Sequence, residues 1–133
     1  MALSLRISAT LLALGLLGAC GSRALETPES LVVDEYAAGK GFEVVFVMKA
    51  CSDTCSTYEA AECEVETDTE DGNVLRFSVS VPYSDKDGVD PTTLEGCSLT
   101  CGAPVRATCD VPSLAAGTWS VEAGTFRGSI EVR

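Results

Sequence analysis

Apolar and polar residues alternate along most of the chain after residue 30, in runs of five to eight residues. Gly, Pro, Asp and Ser, which favour turns, separate these runs. A period of two places the apolar side chains on one face of a β-strand, whereas the period of 3.6 residues that marks an amphipathic helix does not recur. The pattern therefore predicts a β protein.

Two pairs of alternating runs predict β-hairpins. The first pair spans residues 62–82 with a turn at Asp71-Gly72-Asn73, and the second spans residues 118–132 with a turn at Ala123-Gly124. In each strand the alternation places one set of residues on a common face: Cys63, Val65 and Thr67; Leu75, Phe77, Val79 and Val81, which are predicted to point inward; Trp119, Val121 and Ala123; and Phe126, Gly128, Ile130 and Val132. For Trp119, a place in the core is favoured over a role in stacking on a ligand.

Three further runs predict additional strands. Residues 42–49, F-E-V-V-F-V-M-K, are apolar on both faces, which is typical of a central strand that is covered on both sides. Residues 31–36 predict a first strand, and residues 105–111 place Val, Ala, Cys and Val on one face. Residues 83–99 are rich in Asp, Gly, Pro and Thr and are predicted to form a long irregular connection.

Six or seven short strands without helices predict one antiparallel β-sandwich domain, residues 31–133. The chain ends in A-G-T-W-S-V-E-A-G-T-F-R-G-S-I-E-V followed by Arg133. This stretch resembles the last two strands of bacterial immunoglobulin-like domains. The resemblance implies an immunoglobulin-like β-sandwich.

Residues 1–19 form a different kind of segment. One cation, Arg6, precedes an apolar run from Ile7 to Leu17, which is shorter than the roughly 20 residues of a membrane-spanning helix. These features predict a signal peptide. The segment leads into Leu17-Gly18-Ala19-Cys20, which resembles the lipobox of bacterial lipoproteins.

The lipobox resemblance implies lipidation of the Cys20 sulfur, cleavage before it and acylation of the new amino terminus. No Asp follows Cys20, as in lipoproteins that are sent to the outer membrane. The expected location is therefore the bacterial cell envelope, with the membrane as a partner. Residues 20–30 are expected to be the lipidated cysteine and a short tether, at most about 35 Å long. An ordinary signal peptide with a chance cysteine is the alternative.

The other six cysteines form two triplets with the same spacing, C-S-x-T-C-x7-C. They are Cys51, Cys55, Cys63, Cys97, Cys101 and Cys109. An even number of cysteines in an exported chain predicts disulfides. Because the alternation places Cys63 and Cys109 on inward faces, we expect these two to pair. The remaining four are expected to join one triplet to the other.

Two other interpretations of the cysteines are weaker. The C-x3-C pairs match the spacing of a four-thiolate zinc site, but exported thiols are normally oxidised. A thiol oxidoreductase is disfavoured because its motif is C-x-x-C. No metal and no cofactor are predicted.

The net charge and the absence of His argue against several functions. The formal net charge is −11, and the nine Lys and Arg are scattered singly along the chain. Nucleic-acid affinity depends largely on clustered cations, so no nucleic-acid partner is expected. The chain has no His, which rules out Ser-His-Asp and Cys-His catalytic systems in their usual form.

Two acidic features have a simple and a more specific interpretation. Five carboxylates are predicted to lie on one strand face: Glu62, Glu64, Glu66, Asp68 and Glu70. A solvated face is favoured over a patch for a basic partner or divalent cations. Residues 84–90, S-D-K-D-G-V-D, faintly resemble a calcium loop, but the bidentate Glu of an EF-hand is missing, so an Asp-Gly turn is favoured.

Together these observations predict a membrane-anchored extracytoplasmic lipoprotein with a binding or structural role in the envelope. Its ligand is undefined, and an envelope or extracellular protein is a candidate partner. An enzyme is disfavoured, although carboxylate chemistry remains formally open. The alternative function is a small disulfide-rich inhibitor of secreted proteases, which would present the connection at residues 83–99.

Overall fold

A computed structural model describes residues 22–86 and 96–133, and within them the fold is all-β, without helices. The strands are β1 (Ser22–Leu25), β2 (Ser30–Val32), β3 (Phe42–Lys49), β4 (Ser52–Asp53), β5 (Ser56–Tyr58), β6 (Glu62–Asp68), β7 (Val74–Asp85), β8 (Leu99–Thr100), β9 (Val105–Val111), β10 (Gly117–Ala123) and β11 (Phe126–Val132). Among these residues there is accordingly no helix of the length and apolarity needed to cross a membrane.

The twelve-residue strand β7 is the axis of a six-stranded sheet. Strands β10 and β1 follow one another along one edge of β7, and β6 and β5 follow one another along the other. Strand β11 extends the sheet by pairing with β10. Both predicted hairpins, β6–β7 and β10–β11, are confirmed. The β7–β10 pair is parallel, however, so the sheet is mixed rather than purely antiparallel.

Strand β7 continues beyond its predicted end at Pro82, through Tyr83 to Asp85. Proline has no N–H to donate, but the Pro82 carbonyl accepts a hydrogen bond from the Glu59 N–H at 2.8 Å. Strands β1 and β5 also flank this part of β7 on both edges. The start of the predicted irregular connection therefore belongs to the sheet, and residues 87–95 lie outside the described part of the chain.

A three-stranded sheet, β2-β3-β9, packs against the larger sheet across one hydrophobic core. Its central strand buries Val44, Phe46 and Met48, whereas Val45 and Val47 on the other face are only half-buried. The expectation that this strand is covered on both sides is therefore wrong, because the larger sheet lies on one side only. Two sheets that face each other across a shared core make the fold sandwich-like.

Three disulfides join the two cysteine triplets. They are Cys51–Cys101, Cys55–Cys97 and Cys63–Cys109. The bond from Cys63 to Cys109 connects β6 to β9, and Cys109 is only 1% exposed, in agreement with the inward faces that the alternation predicted. The other two bonds also join one triplet to the other. Because all six sulfurs are paired, they do not form a thiolate zinc site.

Residues 20–30 were expected to form a tether, but residues 22–25 form strand β1 and pair with β7. Pro28 is also buried, and the chain then crosses to the smaller sheet as β2. The predicted first strand at 31–36 is correspondingly short and ends at Val32, while Tyr36 forms an isolated bridge with Val132. A strand of four residues shows too little alternation to be recognised by its pattern.

Candidate functional site

One end of the sandwich is closed by a small unit, residues 51–55 and 97–101, that we call the cap. Strands β4 and β8 pair antiparallel within it, and a disulfide lies beyond each end of the pair. The Thr54 N–H donates to the Ser98 carbonyl at 3.0 Å, and the Ser98 N–H donates to Thr54 Oγ1 at 2.9 Å. Two strands of two residues are too short to be stable alone, so these bonds hold the cap together.

A cavity of about 460 Å³ lies between the cap and the end of the six-stranded sheet. Its walls are formed by Arg23, Lys49, Asp53, Cys55, Ser56, Tyr83, Asp85, Cys97, Ser98 and Leu99. Strands β1, β3, β4, β5, β7 and β8 each contribute at least one of these residues. The cavity therefore exists only when the amino-terminal strand, both main sheets and the cap are assembled.

The carboxylate of Asp53 organises one side of the cavity. Its Oδ2 accepts hydrogen bonds from Tyr58 Oη at 2.9 Å and Lys49 Nζ at 3.1 Å, and its Oδ1 accepts one from the Cys55 N–H at 3.1 Å. Burial opposes ionisation, but hydrogen bonds from Tyr58, Lys49 and Ser56 outweigh it and lower the pKa of Asp53 to about 2. Burial likewise disfavours the Lys49 charge, yet contacts with Asp53 and Tyr58 raise the pKa of Lys49. This side of the cavity is therefore an ion pair at physiological pH.

A second ion pair forms the opposite side of the cavity. The Arg23 guanidinium lies 2.6 Å from the Asp85 carboxylate and 5.1 Å from the centre of the Tyr83 ring. The Tyr83 ring in turn lies 5.7 Å from the Tyr58 ring, whose hydroxyl binds Asp53. The two tyrosines therefore connect one ion pair to the other.

The chemistry of the cavity suits reversible binding. Its charges are compensated in pairs, the Tyr83 ring offers apolar surface, and Leu99 is 67% exposed on the cap side. Asp53 is a poor general base near neutral pH, because its pKa is about 2 and both oxygens already accept hydrogen bonds. The two cysteines in the walls are bonded to each other and offer no free thiol. Paired charges beside the Tyr83 ring match a small polar or zwitterionic group.

The acidic face of β6 is largely as expected. Its exposed carboxylates are Glu62, Glu64 and Glu66. Asp68 is instead half-buried and binds Arg76 at 2.8 Å, and this hydrogen bond lowers the pKa of Asp68. Glu70 lies beyond the end of the strand, where its N–H donates to Asp68 Oδ1. Throughout residues 22–86 and 96–133, no three carboxylate or thiol groups converge as metal ligands.

Trp119 is a core residue, as favoured from the sequence. It is 3% exposed, and its Nε1 donates a hydrogen bond to the Ala115 carbonyl at 3.0 Å. Of the faint calcium motif, Asp85 lies in β7 and is paired with Arg23. Residues 87–90 of that motif, the predicted signal peptide and Cys20 lie outside the described part of the chain.

Sequence reasoning named Cys55, Cys97 and Asp85 for other reasons but did not predict that they line one cavity. Arg23 and Asp85, for example, are separated by 62 positions, so no local pattern relates them. One local signal was present. Asp53 is the single residue at which the first C-S-x-T-C copy differs from the second, which has Leu99.

Comparisons with known proteins identify no relative. No protein-family description matches the chain, and no significant match was found among curated proteins or solved structures.

Proposed function

We propose that this protein is a bacterial lipoprotein whose domain acts outside the cytoplasm as a membrane-anchored binding module. One observation carries the proposal. Six of the seven cysteines are consumed in three disulfides, and the seventh is Cys20, at the end of a lipobox-like sequence. Disulfides form in oxidising compartments, and the lipobox reaction needs one unpaired cysteine at that position.

The cavity beside the cap supports a binding role. Its polar groups are held in place by hydrogen bonds and by two disulfides, so a ligand would meet a preformed surface. The carboxylate beside the Ser56 hydroxyl is Asp53, a poor base because its pKa is about 2, which favours a binding or structural role over catalysis. An envelope protein or a small zwitterionic molecule would suit these walls.

Metabolic labelling tests the lipid anchor. The chain is expressed in a bacterium with two membranes and an alkyne-bearing palmitate analogue, beside Cys20→Ala as the variant and Ser22→Ala as the control. We expect label on the wild type and on Ser22→Ala and none on Cys20→Ala. The intact mass of the lipidated wild type should be six hydrogen atoms below that of the same lipidated chain after reduction. Equal labelling of Cys20→Ala, or unlabelled wild type in the soluble fraction, would contradict the proposal.

Protease inhibition is the second candidate, because Cys55 holds both ends of the segment that would be presented. The Cys55 carbonyl accepts a hydrogen bond from the Lys86 N–H at 2.8 Å, and its sulfur is bonded to Cys97. A panel of secreted serine and cysteine proteases tests it, and no inhibition at micromolar protein would exclude it.

A further inference from the structure

The described chain begins at the capped end of the sandwich. Ser22 lies opposite Ser84 on β7, one residue before β7 ends at Asp85. Cys20 precedes Ser22 by two residues, which span at most about 7 Å of extended chain. With the lipid on Cys20, as proposed above, the capped end is held against the membrane rather than about 35 Å from it.

We propose that the capped end docks onto the phospholipid headgroup layer of the membrane that holds the anchor. The contact surface is the cap ridge, residues 98–103. This inference rests on the proposed lipid anchor, which supplies most of the membrane affinity, while the cap ridge sets the orientation of the domain.

The cap ridge is chemically unusual for this chain. Its sequence is S-L-T-C-G-A, all six residues are exposed and none is charged, although the chain has 20 Asp and Glu. Leu99 projects from it with 67% of its surface exposed. An uncharged segment with an apolar side chain enters the interfacial layer at lower cost than carboxylates do.

Charge favours the same orientation. In the cap and the adjoining residues (22–25, 29, 47–59, 82–86 and 96–106), the charged residues are Arg23, Lys49, Lys86 and Arg106, against Glu29, Asp53, Glu59 and Asp85. The rest of the described chain has four Lys and Arg against thirteen Asp and Glu. Three further acidic residues belong to 87–95, which joins Lys86 to Gly96 and lies outside the described part. Anionic lipids repel carboxylates, so the described part of the capped end, with equal numbers of cations and carboxylates, is repelled less than the rest of the domain.

Docking at the cap ridge determines how far the other surfaces of the domain lie from the membrane. Strand β7 has twelve residues and is about 40 Å long, so the β6–β7 turn stands about that far from the lipid. The cavity, with Arg23 and Leu99 in its walls, opens near the headgroups. The acidic face of β6 rises away from the membrane.

Fluorescence quenching by brominated lipids tests the orientation. The lipidated full-length protein is reconstituted in vesicles of phosphatidylethanolamine and phosphatidylglycerol at 3:1, as Leu99→Trp and as the control Val33→Trp. Val33 is 61% exposed but lies after β2, away from the cap. The signal of the buried Trp119 is subtracted with the wild type. We expect lipids brominated near the headgroup to quench Leu99→Trp at least twofold more strongly than Val33→Trp.

Flotation of the vesicles separates the two proposals. If Cys20→Ala, produced without residues 1–19, floats as well as the wild type, the lipid anchor is wrong and the docking inference falls with it. If the wild type floats and Cys20→Ala does not, the anchor holds, and equal quenching at positions 33 and 99 would overturn docking alone. Thermal unfolding of both tryptophan variants, with intact disulfides by mass, checks that each has folded.

Discussion

Asp53 and Leu99 lie directly opposite each other in the β4–β8 pair. They occupy the one position at which the two C-S-x-T-C copies differ, while the flanking cysteines bond from copy to copy. The two copies therefore form an approximately symmetric unit, joined by two disulfides, in which one pair of opposite residues differs. Asp53 accepts hydrogen bonds on one side of this pair, and Leu99 presents an exposed apolar side chain on the other.

Replacing Asp53 with Asn should destabilise the domain at neutral pH by on the order of 1–2 kcal/mol, because the ion pair with Lys49 is lost and that pair is partly screened by solvent. The folded-state pKa of Asp53 is lowered to about 2, so its contribution is present above the unfolded value near 3.8 and is lost as the pH falls through 2. Urea unfolding of wild type and Asp53→Asn from pH 7 to pH 1.5 measures the difference.

The matched control for this variant is Glu64→Gln, which removes an exposed carboxylate from β6. Its effect at neutral pH should stay within about 0.5 kcal/mol. A difference between wild type and Asp53→Asn that persists unchanged at pH 1.5 would show that the ion pair is not its source.

The two cap disulfides should be reduced before the core disulfide. Both partners of each cap bond are exposed (Cys101) or half-buried (Cys51, Cys55 and Cys97), whereas the core bond has one half-buried partner, Cys63, and one that is 1% exposed, Cys109. Thiol–disulfide exchange requires the attacking thiolate to reach a sulfur atom. Brief treatment with a mild reductant at neutral pH, then alkylation and peptide mass mapping, should label the cap cysteines first. Labelling of all six cysteines together would mean that the domain unfolds before either cap bond opens.

Truncating Trp119 should reveal a structural role. Trp119→Ala should cost about 3–5 kcal/mol, because it empties a buried site, and Trp119→Phe about 1–2 kcal/mol, because the hydrogen bond to the Ala115 carbonyl is lost. Leu99→Ala, at an exposed site, is the control and should change stability by no more than about 0.5 kcal/mol. Equilibrium urea unfolding measures all three, and a Trp119→Ala variant as stable as the wild type would remove this residue from the core.

Gly124→Ala should destabilise the domain by about 1–2 kcal/mol. Gly124 has a φ of +58°, and an added Cβ would lie 3.1 Å from Thr27 Oγ1. Gly102→Ala is the control, since no atom lies within 4 Å of its added Cβ. Thermal and urea unfolding compare the two. Because Thr27 lies in the segment expected to be a tether, an unaffected Gly124→Ala would indicate that this segment does not pack on the β10–β11 turn.

The sequence was informative where structure depends on local periodicity. Alternation predicted the inward residues of β7, β9 and β10, and the same parity argument favoured the Cys63–Cys109 bond. It was misleading at residues 42–49, because an apolar run does not reveal whether a second layer covers both faces. It missed β1, whose four residues are held by pairing with β7 rather than by a pattern of their own.

By itself, the sequence determined that this chain forms strands, which faces β7, β9 and β10 bury and which cysteines belong together as two sets. These are properties of neighbouring residues, and a period of two is enough to specify them. Only the tertiary structure decided the parallel β7–β10 pair, the order in which the cap cysteines bond, and the meeting of Arg23, Asp53 and Tyr83 around one cavity. Those features depend on how distant strands align in space, and alternation is the same for every alignment that buries the same face.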